Sequence, residues 1–315
     1  MSLSELTACT LRVQANLDGY ALPIKKLKGT EPVKSLDLSG KKLGVASAIV
    51  IASLISVNGA LTSLDLSNNQ LCGVNIWGEG TYTTEGITAI AYALHVNGSL
   101  TSVDLSENNL TNLGRDMTGI TELAAALGVN VALTSLDLSN SALCGMAKYG
   151  GGTYTAEGIT AIADALRVNG SLTKLSLAQN RLKEEGTKAI CEALKQNTTL
   201  KELDISGHWL DTNIGGPAGV KHVAKMLGVN GSLTSLDLSN NQLCGLGYSG
   251  RGTFTTEGIS AIADALRVNG RLTSLNLGHN QLCGLDEYGR GTYTADGITA
   301  IADALRVNGG LTEVR

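Results

Sequence analysis

The segment L-x-x-L-x-L-x-x-N-x-L recurs along this chain, with starts at Val33, Leu61, Leu100, Leu133, Leu172, Leu200, Leu233, Leu272 and Leu311. Nothing else in the sequence restricts the fold as strongly. The starts are separated by 28, 39, 33, 39, 28, 33, 39 and 39 residues. The shortest complete unit, from Leu172, reads LTKLSLAQNRLKEEGTKAICEALKQNTT, and the longer ones add five or eleven residues between strand and helix. Self-similarity of this kind marks a body built by stacking, rather than the two separate globules that 315 residues would otherwise suggest.

Within a unit, SLDLS sets leucine against serine and aspartate with a two-residue period, the mark of a strand with one buried face. In TAEGITAIADALRVNG, Ile159, Ile162, Ala163 and Leu166 fall at helical spacing. Thr155 is placed to cap the start, and Asn169-Gly170 to stop the helix through a left-handed turn. Neither apolar face can be buried inside one unit, so the units must stack. Parallel strands stack about 4.8 Å apart and helices about 8 to 10 Å apart, which lengthens the helical side and bends the stack. The expected fold is α/β, a right-handed solenoid bent into a horseshoe with a parallel sheet on the concave side and helices on the convex side. Eight strand-helix units and a ninth partial strand fill 33–315, behind an N-terminal cap at 1–32 that carries a short helix from Leu3 to Leu17.

The spacing, the leucine positions and the EGITAIADALRVNGSL helix together resemble the leucine-rich repeats of ribonuclease-inhibitor type, as in NOD-like receptors and the Ran GTPase-activating protein. The resemblance covers about Val33 to Arg315. Its pattern has Asn or Cys at the ninth position, met by Asn69, Asn108, Asn180, Asn241 and Asn280. Lys41, Ser141 and His208 depart from it, and those turns are expected to lack the amide that satisfies neighbouring backbone groups. The resemblance implies a solenoid that binds proteins.

Four units carry related eleven-residue inserts: CGVNIWGEGTY from Cys72, CGMAKYGGGTY from Cys144, CGLGYSGRGTF from Cys244 and CGLDEYGRGTY from Cys283. Val74, Met146, Leu246 and Leu285, with the closing Tyr82, Tyr154, Phe254 and Tyr293, are expected to pin the loops while the glycines turn them. The variable Glu79, Gly151, Arg251 and Arg290 are expected to be exposed. The inserts read as a rim ledge, structural or recognitive, with Trp77, Glu79, Tyr149, Tyr248, Arg251, Tyr288 and Arg290 as candidate contacts. Neither GxGxxG nor GxxxxGK[ST] occurs, so they do not read as phosphate-binding loops.

On the concave face, Asp37, Asp65, Asp104, Asp137, Ser176, Asp204, Asp237 and Asn276 fall in one column. Stacked carboxylates raise one another's pKa and attract a basic partner or a cation, unless serine hydroxyls and water simply satisfy them as a ladder. The two central units are individual where the others are copies. Lys174, Gln179, Arg181, Glu202, Asp204, His208 and Trp209 form a candidate partner-binding patch, Trp with Arg being the composition of an interface hot spot. Repeat drift, with the Trp partly packed under the adjacent five-residue insert, is the plainer reading.

A net charge of −4 gives no sign of a basic surface for nucleic acid. No signal peptide and no run of 18 apolar residues is present, so the reading is cytoplasmic without membrane insertion. Four of the six cysteines hold one repeat position, and only Cys244 and Cys283, in consecutive repeats, are expected to come near each other. Asn97, Asn109, Asn169, Asn197 and Asn230 begin N-x-S/T triplets but read as turn residues rather than glycan acceptors. His95, His208, His222 and His279 lie in different repeats, and no catalytic, metal or cofactor-binding residue can be named. The chain therefore reads as a non-enzymatic scaffold binding a protein through its concave face and insert-bearing rim. The alternatives are a Ran-type GTPase-activating regulator, suggested by the resemblance, and a component that self-associates through its uncapped C-terminal strand.

Overall fold

A computed structural model of the chain describes residues 16–146, 151–247, 249–286 and 288–315. They fall in two compact units, Met1–Leu172 and Thr173–Arg315. The first begins with an antiparallel hairpin of Asn16–Leu17 (β1) and Tyr20–Ala21 (β2), then Ile24–Lys28 (α1). The helix expected from Leu3 to Leu17 falls outside the described residues up to residue 15, and Asn16 and Leu17 are strand instead. Asp18 and Gly19 take positive φ (56° and 78°), the two-residue turn that an Asp-Gly pair favours between strands. Asp18 Oδ2 then accepts Gly44 N–H at 2.8 Å, Ser47 N–H at 3.3 Å and the Ser47 hydroxyl at 2.6 Å. The hairpin thus lends the first repeat helix a capping carboxylate absent from its own start.

Strands and helices then alternate: Ser35–Asp37 (β3), Val45–Ile55 (α2), Ser63–Asp65 (β4), Glu85–Val96 (α3), Ser102–Asp104 (β5), Thr118–Val129 (α4), Ser135–Asp137 (β6) and Glu157–Val168 (α5). The second unit continues with Lys174–Ser176 (β7), Lys183–Leu194 (α6), Glu202–Asp204 (β8), Gly216–Leu227 (α7), Ser235–Asp237 (β9), Glu257–Val268 (α8), Ser274–Asn276 (β10), Asp296–Leu305 (α9) and Glu313–Val314 (β11). Strands β3 to β6, and separately β7 to β11, pair in parallel with equivalent residues opposite one another. Each unit is an α/β leucine-rich-repeat solenoid.

The core lies between strand and helix layers. Leu64, Leu66, Leu136 and Leu138 in one unit, and Leu236 and Leu238 in the other, meet the Ile and Leu stripes of the helices, all buried. The glycine of each EGI start explains how the layers close. A Cβ on Gly86 would strike Leu71 O, and Gly158, Gly258 and Gly297 face the carbonyls of Leu143, Leu243 and Leu282 in the same way.

Two asparagine systems tie repeat to repeat. In the first, Asn69 Nδ2 donates to Leu38 O and Leu66 O, both at 2.9 Å, while its Oδ1 accepts Lys41 N–H (3.1 Å) and Leu43 N–H (2.9 Å). His208 does not hold this position. The five-residue insertion precedes it, so Asn213 takes the place, donating to Leu177 O at 3.0 Å and Ile205 O at 3.2 Å and accepting Leu182 N–H at 3.2 Å. Ser141 substitutes with its hydroxyl, 3.1 Å from Leu105 O.

The second system ends the helices. Asn97 donates to Ile55 O (2.7 Å) and Asn58 O (3.1 Å) and accepts Ser99 N–H (2.8 Å) and Leu100 N–H (2.7 Å). Asn169, Asn230, Asn269 and Asn308 repeat the donation to a carbonyl of the preceding helix at 2.6 to 2.7 Å. The expected left-handed stop is therefore wrong. Asn97 and Asn169 are extended (φ −79°, ψ 122° and φ −69°, ψ 123°), because the side chain caps the helix while the backbone runs on to the next strand. All five asparagines of the N-x-S/T triplets are buried.

Candidate functional site

The aspartate column is largely satisfied from within. Each Oδ1 accepts the N–H two residues on: Ser39, Ser67, Ser106 and Ser139 in the first unit, Ser206 and Ser239 in the second, at 2.8 to 2.9 Å. The Ser39 hydroxyl, then its N–H, hold Asp37 below its ordinary pKa. Asp104 is raised, because burial, with Asp137 and Asp65 on either side, outweighs its bonds from Ser106. In the second unit Asn276 Nδ2 donates to Asp237 Oδ2 at 2.8 Å, so an amide occupies the slot that holds a like charge elsewhere. Among the described residues no group of three His, Cys, Asp or Glu is placed to hold a metal ion.

The central candidates divide between strand face and edge. Lys174 and Glu202 stand opposite each other on β7 and β8, with Nζ and Oε2 3.3 Å apart, and Asp204 lies on the same strand. Gln179 and Arg181 belong to the turn after β7, and His208 and Trp209 to the turn after β8. Arg181 Nε reaches Asp211 Oδ2 at 3.4 Å and joins the two turns. His208 and Asp211 exchange both backbone hydrogen bonds (3.0 and 2.9 Å), leaving Trp209 and Leu210 at the tip, 51% and 52% exposed. Leu210 and Asp211 escaped the sequence reading. The four-residue HWLD turn was the signal, hidden by assigning His208 to the repeat position.

The four inserts share one closure, backbone bridges Val74–Gly80, Met146–Gly152, Leu246–Gly252 and Leu285–Gly291. Their tips differ in what ties them down. Asn75 Oδ1 accepts Trp77 N–H (2.9 Å) and Glu79 N–H (3.0 Å), and its Nδ2 donates to Glu79 Oε2 at 2.9 Å. Asp286 Oδ1 likewise accepts Tyr288 N–H (2.9 Å) and Arg290 N–H (2.8 Å), and Arg290 Nε donates to its Oδ2 at 2.7 Å. Burial pushes Asp286 up, but these bonds prevail and its pKa is lowered. The Arg290 guanidinium also lies 4.8 Å from the centre of the Tyr288 ring. The third insert has Gly247 at the matching place, and Arg251 is exposed.

Glu79, Gly151 and Arg290 are exposed as expected, as is Trp77. Tyr149 and Tyr248 lie outside the described residues. Tyr82 pins its loop by donating its hydroxyl to Leu110 O at 3.0 Å, whereas Tyr293 is 65% exposed and pins nothing. Cys72, Cys144 and Cys244 are buried, and burial pushes the Cys72 and Cys244 thiols up to about 12. Cys283 is close enough to Cys244 to add to that rise.

Two family models describing leucine-rich repeats match the sequence, one over 96–117 and 196–215, the other over 60–78 and 232–250. These segments run through β4, β5, β8 and β9 into the turns beyond them. The chain is a leucine-rich-repeat protein. No curated protein matches it by sequence. Among solved structures, the leucine-rich repeat-containing protein LegL7 from Legionella pneumophila is similar at 19% identity and TM-score 0.55, over 95% of this chain and 88% of that one. This likeness carries the fold. Weaker similarities are to leiomodin-1 actin-binding site 2 (19% identity, 56% of this chain and 87% of that one, TM-score 0.43) and to the tropomodulin C-terminal domain of Caenorhabditis elegans (13% identity, 61% and 93%, TM-score 0.41). Leucine-rich repeats generally serve as protein-interaction modules, presenting extended preformed surfaces. No helix among the described residues is long and apolar enough to cross a membrane.

Proposed function

We propose that this leucine-rich-repeat protein is a non-enzymatic, cytoplasmic scaffold of ribonuclease-inhibitor-like type. Its protein partner engages the strand face and strand-carboxyl edge of residues 173–315. The observation that carries this reading is the turn at His208–Asp211, which holds two large apolar side chains half exposed on a backbone closed by reciprocal hydrogen bonds. Apolar anchors fixed before binding lose little conformational freedom on association, and Trp beside Arg is the usual make-up of a hot spot. The Lys174–Glu202 pair and Asp204 supply the polar surround.

Affinity capture from the native source, followed by titration calorimetry with the captured protein, tests this. Trp209→Ala and Leu210→Ala are expected to weaken binding by about 2 kcal/mol or more, roughly 30-fold, the scale of an interface anchor. Circular dichroism should stay unchanged. Affinities within threefold of wild type would remove the turn from the interface. Stimulated GTP hydrolysis by a captured GTPase would replace the scaffold reading with a regulatory one.

A further inference from the structure

The gap between neighbouring inserts is filled in one unit and open in the other. Between the first and second inserts lies the loop that follows β5. Asn109 Nδ2 donates to Asn75 O at 3.1 Å, Leu113 O accepts Thr153 N–H at 2.9 Å, and the Leu113 side chain lies against Gly78. The third and fourth inserts belong to consecutive repeats and have no such loop between them. They are joined by Arg290 Nη2 donating to Ser249 O at 3.4 Å, and beside this bond a cleft of about 630 Å³ remains. That volume lies in the range of ligand-binding clefts, about 300 to 1,000 Å³.

The cleft has a definite polarity. Leu246 and Phe254 give it an apolar wall. Arg290 and Asp286 face it but are committed to each other, with Nε and Nη2 both 2.7 Å from Asp286 Oδ2, so together they offer no net charge. Thr292, Thr294 and Asp296 also line it. The Asp296 carboxylate has no hydrogen-bond or ion-pair partner among the described residues, only its N–H being held, by Thr294 Oγ1 at 3.2 Å. At the equivalent place in the preceding repeat, Glu257 is taken by Lys221 at 2.6 Å. An anion would therefore find its cation already occupied and a bare carboxylate in its way, whereas a cation with an alkyl stem matches both walls.

We propose that this cleft receives a basic side chain, arginine or lysine, from an extended segment of the bound protein. Its stem lies on Leu246 and Phe254 and its charge on Asp296. This rests on the scaffold reading but can be measured without the partner. In an NMR titration of the full chain, N-acetyl-Gly-Arg-Gly-amide is expected to shift the amide signals of Gly284 and Gly291 saturably, while the Gly-Leu-Gly and Gly-Glu-Gly analogues do not. Asp296→Asn should weaken the arginine peptide about three- to fivefold, the scale of one exposed charge pair. Glu257→Gln, altering the carboxylate one repeat away, should leave it unchanged. No saturable shift, an equal response to the leucine or glutamate peptide, or an unaltered Asp296→Asn titration would each overturn the proposal. None of these results bears on the Trp209 variants, so the cleft and the scaffold reading can fail separately.

Discussion

Asn97 is 5% exposed and joins four backbone groups, two carbonyls of the preceding repeat and two N–H groups of its own turn. Asn97→Ala removes these four bonds to backbone groups, at about 1 kcal/mol each, so a loss of about 4 kcal/mol is expected, beside the weaker bond its Oδ1 accepts from the Ser99 hydroxyl. Asn97→Asp is more discriminating. It keeps the oxygen that accepts from Ser99 and Leu100 but turns the donor into an oxygen facing two carbonyls, a site that tolerates the carboxyl only when protonated. The folded-state pKa of that Asp would lie above its unfolded value. The variant's relative stability is then greatest below the unfolded pKa and is lost as pH rises through the folded one. Urea unfolding followed by circular dichroism at pH 4 and pH 7.5 measures both variants against wild type. The expected result is a large loss for alanine at both pH values and, for aspartate, a loss that grows toward pH 7.5. Alanine within 1 kcal/mol of wild type, or an aspartate penalty independent of pH, would refute the argument that side chains hold the helix ends.

Three further outcomes are expected. Burial, with Asp137 and Asp65 adding to it, raises the pKa of Asp104, so protonation favours the folded state and its destabilising effect exists only above its ordinary pKa. Asp104→Asn, copying the amide that Asn276 places beside Asp237, should raise the urea midpoint at pH 7 by up to about 1 kcal/mol of stability and leave it unchanged at pH 3. Gly86→Ala forces a methyl group into Leu71 O and should cost about 2 kcal/mol or more in thermal unfolding, whereas the open Gly98 should accept alanine with little effect. With an aromatic disulfide reagent at pH 8, native Cys72, Cys191 and Cys244 should react only on unfolding, because burial holds their thiols protonated with pKa about 12. The half-buried Cys283 should react first among the five described thiols.

Leucine spacing was enough to place every repeat strand and helix, because burial of one face decides both periods. What escaped it depended on partners far away in sequence. Asn97 could be read as a left-handed stop because the carbonyls that hold it extended, Ile55 and Asn58, lie 42 and 39 residues back. His208 was given a ladder position that belongs to Asn213, since spacing alone does not say on which side of an amide an insertion falls. That slip concealed Leu210 at the turn tip. At the N-terminus the Asp18-Gly19 pair was a legible hairpin signal, but the segment before it was read as a helix ending at Leu17, so that Asn16 and Leu17 were missed as a strand. The cleft was legible only as two inserts in consecutive repeats, because its openness follows from the absence of a loop like that of Leu113.

The helix-end asparagines also define an address system. Asn97, Asn169, Asn269 and Asn308 each reach back 42 and 39 residues, to the same two carbonyls of the preceding turn. These addresses are relative, not absolute. Excising Leu233 to Arg271, one 39-residue period, would bring Leu227 and Asn230 to the positions that Asn308 now finds in Leu266 and Asn269. A chain wired this way can gain or lose whole periods by unequal recombination without leaving a latch unmatched, and Asn230, which makes the same latch over 36 and 33 residues, shows that a length change confined to the stretch between strand and helix is tolerated as well.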